Sequence, residues 1–460
     1  MSLGNKALFY KKMLTLAIPI ALQQLLTSCA QLVDTAMVVG LGNASTAAIG
    51  VAGRWSFLIN LALFGVSSGV ATMTAQYWGI KDVKNIHRSY GFGLGIALVI
   101  GIIYGVCTFT IPEQMMMVFT NENAVIEQGV AYLQNVSLYG IFLAVSLVTS
   151  TSMRSTEDVH TPLFCAIASV LTNTGLNYLL IGGHLGFPAL GLKGAAIATT
   201  ISMILQVVLL FIIGSAKKNI IFSNWNGIFA FDKVFVIKFL KVCIPVTINE
   251  LMWGVGTNVY SMVFARQGSE NYAAYTISDS IQQIAFVFFV GICSACSIMI
   301  GKAVGAGKTN EAYDMGKRFI FLVPLMGLVI GSLLIAIRYP LLRLLPIETE
   351  NTLNIAAKIL LIYSLWIPLR NIPYVAIVGI FRAGGDTKTG MLLDISALFL
   401  ISIPVVSYLG FFTDISFPML IAAMYIAEDT LKITLCICRF VSRKWIKQLT
   451  FAGDNAQIES

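Results

Sequence analysis

Asp34 stands in Leu32-Val33-Asp34-Thr35-Ala36-Met37-Val38, an apolar run whose nearest basic residues along the chain are Lys12 and Arg54. An ionised carboxylate at the centre of a bilayer costs about 2.5–3.5 kcal/mol on insertion scales, so an acid in such a run calls for a compensating partner. A site for a cation or proton is the expected role, and a structural acid held by hydrogen bonds is the alternative. Glu250 poses the same question five residues after Pro245, and Asp279 and Arg370 lie in apolar stretches further on. Glu250 and Asp279 are each read as a functional or a structural acid; an acid paired with Arg370 would make part of the set structural. Glu428 and Lys432 are four apart on one helical face and read as a structural ion pair. Asp394 and Asp429 take no role from the sequence.

Uncharged polar residues are cheaper in lipid. Asn173 and Asn177, four apart, would face the same way and offer amide oxygens to a cation or to another helix, and Thr199 would add a hydroxyl. Pro19 and Pro245 lie inside apolar stretches, where each removes a backbone hydrogen bond and permits a kink near an acid on the same helix. No enzyme is expected, since the three histidines (His87, His160, His184) sit in loops or at the ends of apolar stretches with no nucleophile or metal constellation around them. All eight cysteines fall within or beside apolar stretches and are expected to pack. Cys293-Ser294-Ala295-Cys296 has the spacing of a redox or zinc pair, but it stands alone.

The elements that must position these residues are membrane spans. Hydrophobic residues make up 57% of the 460 and charged residues 11%, against about 45–50% and 25% in soluble domains. Twelve stretches are long enough to cross a hydrocarbon core of about 30 Å as helices, near 14–41, 49–76, 91–112, 127–152, 162–182, 190–214, 237–265, 274–300, 319–338, 354–381, 390–411 and 415–438. The chain also repeats itself: Ile18 to Gly79 recurs without a gap from Ile244 to Gly305, with Pro19/Pro245, Gly42/Gly268, Gly65/Gly291 and Gly79/Gly305 in register. A second echo pairs Arg154-Ser155-Thr156-Glu157-Asp158-Val159-His160-Thr161 with Arg382-Ala383-Gly384-Gly385-Asp386-Thr387-Lys388-Thr389. The fold class expected is therefore an all-α integral membrane protein, with twelve transmembrane helices in two pseudo-symmetric six-helix lobes, 1–220 and 221–460, the second ending in a short cytoplasmic tail. The copies differ where the acids lie, Asp34 against Tyr260 and Gln24 against Glu250.

Lys and Arg concentrate in cytoplasmic loops of membrane proteins. With the N-terminus inside, 21 of the 30 fall in inner segments and only Arg266, Arg338 and Arg343 in outer loops. Both termini are thus expected in the cytoplasm and the chain in the cell (inner) membrane, its net charge of +8 marking topology rather than nucleic-acid binding. Lys11-Lys12, an apolar run and Leu26-Thr27-Ser28-Cys29 imitate a lipoprotein signal, but the apolar run continues to Leu41 and recurs internally, so it is read as a span. The connection from Ser215 to Asp232 joins the lobes; its Ile220-Ile221-Phe222, Trp225 and Ile228-Phe229 suit either the inner membrane surface or a plain linker.

Taken together, these residues resemble the multidrug and toxic compound extrusion (MATE) family of cation-coupled efflux transporters. The resemblance rests on Pro19 with Val33-Asp34-Thr35, the loop Arg154 to Asp158 with Thr161-Pro162, Asn177-Tyr178-Leu179-Leu180-Ile181, Gly191 to Thr199, and Arg382-Ala383-Gly384-Gly385-Asp386-Thr387. It implies a bacterial antiporter that exports bulky, amphipathic, often cationic compounds by alternating access in exchange for Na+ or H+. Asp34 with Tyr139, Asn173, Asn177 and Thr199 would bind the coupling cation, and the only metal expected is Na+ at that site. Glu250, Asp279, Arg370 and Asn371 would form the second-lobe cation or substrate site, Asn371 standing where some members carry an Asp. No organic cofactor and no nucleic-acid partner are expected, and the protein is expected as a monomer in contact with membrane lipid. A flippase for lipid-linked saccharides of the same two-lobed superfamily is the alternative; it would show more basic residues facing a central cavity to hold pyrophosphate.

Overall fold

A computed structural model describes residues 3–223, 227–345, 347 and 349–450, with side chains from Ala7 onward. Every element of secondary structure among them is helical, apart from one isolated bridge between Gly385 and Ile446. The first half runs α1 (Leu3–Val39), α2 (Asn43–Gly79), α3 (Val83–Thr110), α4 (Pro112–Met117), α5 (Asn123–Asn135), α6 (Tyr139–Ser155), α7 (His160–Gly182) and α8 (Leu192–Ala216). The second runs α9 (Lys233–Ala265), α10 (Ser269–Gly305), α11 (Thr309–Arg343), α12 (Glu350–Tyr374), α13 (Thr387–Ser396), α14 (Ile403–Phe412) and α15 (Phe417–Val441). Wider π turns continue α12 through Val375–Phe381 and join α13 to α14 through Ala397–Ser402.

Among the described residues nine helices are long and apolar enough to cross a membrane, and α5 with α6, bent by 52° at their junction, makes a tenth. Of the other stretches expected from the sequence, α9 and α15 are helical but fall below that measure; α15 carries Glu428, Asp429 and Lys432 in its interior.

Contacts divide the chain into two compact units, Leu22–Thr247 and Met1–Ala21 with Ile248–Ser460. The divisions fall within α1 and α9, each two residues past the proline inside that helix, Pro19 or Pro245. They occupy the same position in both copies of the repeat, whereas the expected lobes part at the connection after α8.

Within Leu22–Thr247, α2 carries Gly65-Val66-Ser67-Ser68-Gly69, small residues four apart that let another backbone approach closely. A Cβ on Gly65 would lie 2.5 Å from the Cα of Thr247, and one on Gly69 3.0 Å from the Cα of Cys243, so the start of α9 lies against this face. In the other unit the matching glycine, Gly291 on α10, receives α1: its Cβ would lie 2.7 Å from the Ala17 carbonyl oxygen and 2.8 Å from the Ala21 Cβ.

The repeat also fixes turns. Gly42 and Gly268 precede α2 and α10 with φ of 100° and 104°, and the second echo places positive φ at equivalent sites, Glu157 (72°) and Gly385 (85°). In each of those loops an Asp then anchors the next helix. Asp158 accepts from the Thr161 backbone N–H at 3.2 Å and from Asn219 Nδ2 at 2.8 Å; Asp386 accepts from Thr389 Oγ1 at 2.8 Å and binds Arg439 and Lys447 at 2.6 and 2.7 Å.

The connection after α8 is neither a surface strip nor a plain linker where it is described. Ile221 and Phe222 are buried, His87 Nε2 on α3 lies 2.7 Å from the Ile220 carbonyl, Ile228 packs over Gly91, and Asp232 pairs with Arg88 at 3.1 Å. Phe229 remains exposed, and Trp225 lies outside the described residues.

Gly65→Val and Gly291→Val are each expected to destabilise the protein by about 1–3 kcal/mol, because the added methyls meet backbone that has no room to move. Thermal unfolding in detergent checks this, and an unchanged midpoint for both would contradict the close crossings.

Candidate functional site

In the unit Leu22–Thr247, α1 and α7 bring together one carboxylate and two amides. Asn177 Nδ2 donates to Asp34 Oδ1 at 2.6 Å, and the Asn173 amide, with its nitrogen turned to the carboxylate, donates at 2.8 and 3.2 Å. The four-residue spacing of the two asparagines stacks them on one face of α7, where both are buried. Among the described residues no Lys, Arg or His pairs with Asp34, and the side chains that hydrogen-bond its carboxylate are the two amides. Asn177 Oδ1 is also buried without a donor. Carboxylate and amide oxygens are hard ligands suited to a small cation or a proton, and they leave the carboxylate one positive charge short.

Tyr139 and Thr199 lie in the same unit but make no hydrogen bond to this group. Tyr139 packs against the apolar cluster that contains Val38, Ala48 and Leu133, and the Thr199 hydroxyl donates to the Ala195 carbonyl at 2.9 Å.

In the other unit the charges meet each other. Arg382 Nη2 donates to Glu250 Oε1 at 2.7 Å, both side chains largely buried. Arg370 pairs with Asp429 at 3.2 Å and Glu428 at 3.9 Å and covers the Tyr425 ring, whose hydroxyl donates to Gln282. Lys432 joins Glu428 at 2.9 Å and Asp394 at 2.7 Å, and Asn249 Nδ2 donates to Asp394 Oδ2 at 3.0 Å. Asp279 makes no ion pair within 4 Å but lies within electrostatic reach of Arg370; its Oδ2 accepts from Gln283 at 2.7 Å, and Asn371 donates back to the Ile367 carbonyl at 3.1 Å. Glu250, Asp279, Arg370 and Asn371 are thus held by four different sets of partners.

Tyr260, the repeat counterpart of Asp34, donates to Ser402 Oγ at 2.6 Å. The grouping of Asp394 and Asp429 with Arg370 and Lys432 has no signal in sequence spacing, since the residues come from α12, α13 and α15. The one available clue is that intramembrane charges must pair. His87 is bound to the connection after α8 and His184 stacks on Tyr178 at 4.1 Å. Among the described residues no three His, Cys, Asp or Glu side chains are grouped as metal ligands.

The sequence profile of the MatE family matches residues 19–179 and 245–408. A probable multidrug resistance protein YoeA of Bacillus subtilis is 27% identical over 415 residues, 89% of each chain. A probable multidrug resistance protein NorM of Thermotoga maritima is 21% identical over 97% of this chain and 95% of its own. Among solved structures, a crystal structure of MATE in complex with MaL6 superposes with a TM-score of 0.86 at 17% identity, covering 94% of this chain and 97% of that one. An outward-facing conformation of a multidrug resistance MATE family transporter of the MOP superfamily gives 0.86 at 17% identity, covering 94% and 96%. The fold is accordingly all-α, with twelve membrane helices in two lobes.

Arg382→Met is expected to cost about 3–5 kcal/mol of stability, because it leaves Glu250 buried without its base. Adding Glu250→Gln should recover most of that loss. Equilibrium unfolding in detergent checks both, and a single variant as stable as the parent would contradict the pairing.

Proposed function

Because the chain belongs to the MatE family of transporters, we propose that it is an antiporter that exports bulky, amphipathic, often cationic compounds in exchange for Na+ or H+. The observation that carries this reading is Asp34, a carboxylate within a span that has amides around it and no base. The relatives named as probable multidrug resistance proteins support the substrate class.

In the proposed cycle the protein, with lobes 1–220 and 221–460, alternates between inward- and outward-open states. Loading a cation on Asp34, with Asn177 Oδ1 as a further ligand, favours the state that releases substrate outward, since a ligand shifts an equilibrium only by its differential affinity for the two states. Tyr139, Asn173 and Thr199 are the other members of that cation site in this reading. For a neutral substrate, one cation moving down about 100 mV supplies about 2.3 kcal/mol, enough for a substrate gradient of roughly fiftyfold; for a monovalent cationic substrate the exchange is electroneutral and the cation's concentration gradient alone drives it. No organic cofactor takes part, and the protein works as a monomer in the cell membrane with both termini in the cytoplasm.

A lipid-linked saccharide flippase would need bases available to pyrophosphate. Arg370, Arg382 and Lys432 are each engaged by carboxylates, which favours export.

Asp34→Asn is expected to abolish cation-driven export while the protein still folds, because the amide keeps the shape of the carboxyl and removes its charge. Efflux of a fluorescent cationic dye from proteoliposomes, under Na+ and H+ gradients imposed separately, checks this. Undiminished efflux by the variant would sink the assignment of Asp34, and dye movement indifferent to both gradients would sink coupling itself.

A further inference from the structure

Two cavities of the unit Met1–Ala21 with Ile248–Ser460 meet at Leu325 of α11 and are opposite in character. One is a groove of about 550 Å3 between α10 and α11, with Ile281, Ile284 and Phe288 on one side and Leu325, Val329 and Leu333 on the other. Among the described residues that line it, none is polar. The other, of about 310 Å3, is lined by Tyr10 of α1 and by Lys317, Arg318, Phe321, Leu322 and Leu325 of α11. Two bases and a phenol thus stand at one end of a hydrocarbon strip. Helical spacing makes the strip continuous: Arg318, Phe321, Leu325, Val329 and Leu333 follow at steps of three and four on one face of α11. Phe321, Leu325, Val329 and Leu333 are 86%, 58%, 65% and 57% exposed, so no other helix of the chain covers this face. From Arg318 to Leu333 the helix climbs about 22 Å at 1.5 Å per residue, which exceeds the depth of one leaflet in a core of about 30 Å.

The charge at the basic end is held by rings. Lys317 Nζ lies 4.6 Å from the centre of the Tyr313 ring, the Arg443 guanidinium 4.1 Å from the same ring, and Arg318 4.9 Å from the Phe9 ring. Aromatic faces position these cations without neutralising them. Lys317, Arg318 and Arg443 stand here against Asp314, while Glu311, a turn further down, is paired with Lys308 at 3.4 Å. Lys11 and Lys12 flank Tyr10 in sequence and add to the same sign. The groove's other end differs. There Arg338 is turned to the Ile335 carbonyl at 2.6 Å and over Tyr339 at 5.0 Å, and it lines neither cavity.

We infer that this face binds one anionic phospholipid of the cytoplasmic leaflet, its phosphate on Lys317, Arg318 and the Tyr10 hydroxyl and one acyl chain laid along α11 into the groove. The leaflet follows from the orientation proposed above; the site depends neither on Asp34 nor on ion coupling. Phosphate oxygens accept charge-assisted hydrogen bonds from Lys and Arg, and basic pockets beside membrane helices on the cytoplasmic side hold anionic head groups. A zwitterionic phospholipid offers the same chains but brings a cation of its own, which the basic end repels. The same sign disfavours a cationic export substrate as the occupant.

The test uses the full chain in a neutral detergent, with bound lipid counted by native mass spectrometry as phosphatidylglycerol or phosphatidylcholine of identical chains is added. The unmodified protein is expected to hold one phosphatidylglycerol about 25-fold more tightly than phosphatidylcholine, about fivefold for each of the two lining bases. Lys317→Gln combined with Arg318→Gln is expected to bring phosphatidylglycerol down to the level of phosphatidylcholine and to leave phosphatidylcholine where it was. Val329→Trp fills the groove from an exposed position, so it is expected to fold, to weaken both lipids alike and to keep the preference between them. Glycerol 3-phosphate, the head without chains, is expected not to displace the lipid. Equal affinity for the two lipids in the unmodified protein, an undiminished preference in the double variant, unaltered binding in Val329→Trp, or displacement by glycerol 3-phosphate would overturn the lipid site. Displacement of phosphatidylglycerol by a fluorescent cationic dye would also overturn it and give the groove to substrate. Each of these results leaves the role of Asp34 in export to be decided by the dye efflux experiment.

Discussion

A carboxylate withdrawn from water has to meet a positive charge, and in a span the choices are a side chain from another helix or an ion from outside. The two units answer this differently. In Met1–Ala21 with Ile248–Ser460, Glu250, Glu428 and Asp429 all have bases of their own chain, and Asp394 shares Lys432. In Leu22–Thr247, Asp34 has only amides. Internal pairs hold helices together whether or not a substrate is present. A carboxylate that depends on an external ion gives that ion leverage over conformation, because the energy of the site then changes with what occupies it.

Much of the fold was readable beforehand because its causes are local. Apolar length specifies spans, Gly-rich turns specify the breaks between them, and the repeat ties the two halves together through Gly42/Gly268 and Gly65/Gly291. The Asn173 and Asn177 spacing likewise foretold a shared face, and both do reach Asp34. What spacing along the chain does not encode is the third partner in a network. Asp394 and Asp429 had no assigned role because Arg370 and Lys432 reach them across helices distant in sequence. The connection after α8 departs from both readings for a related reason: its apolar residues suit a membrane surface or a plain linker, but α3 offers them His87, Arg88 and the bare backbone of Gly91.

The duplication explains why these differences arise where they do. Backbone requirements are common to both copies: left-handed turns at Gly42 and Gly268, an Asp anchoring the helix after Glu157 and after Gly385, and a glycine on α2 and on α10 receiving the helix that carries Pro245 or Pro19. Such positions are governed by sterics, and a change in either copy breaks the scaffold. Side chains at the polar positions are constrained only by local charge balance, so each half can settle on its own solution. Tyr260, at the position of Asp34, hydrogen-bonds Ser402 and carries no charge at neutral pH, which removes any need for an ion there. The second half instead pairs its acids with bases, and Asp394 also accepts from Asn249, four residues past Pro245, whose repeat counterpart is Gln23. A transporter whose halves differed in nothing would load and unload both at once. Unequal charge balance on matched scaffolds removes that symmetry.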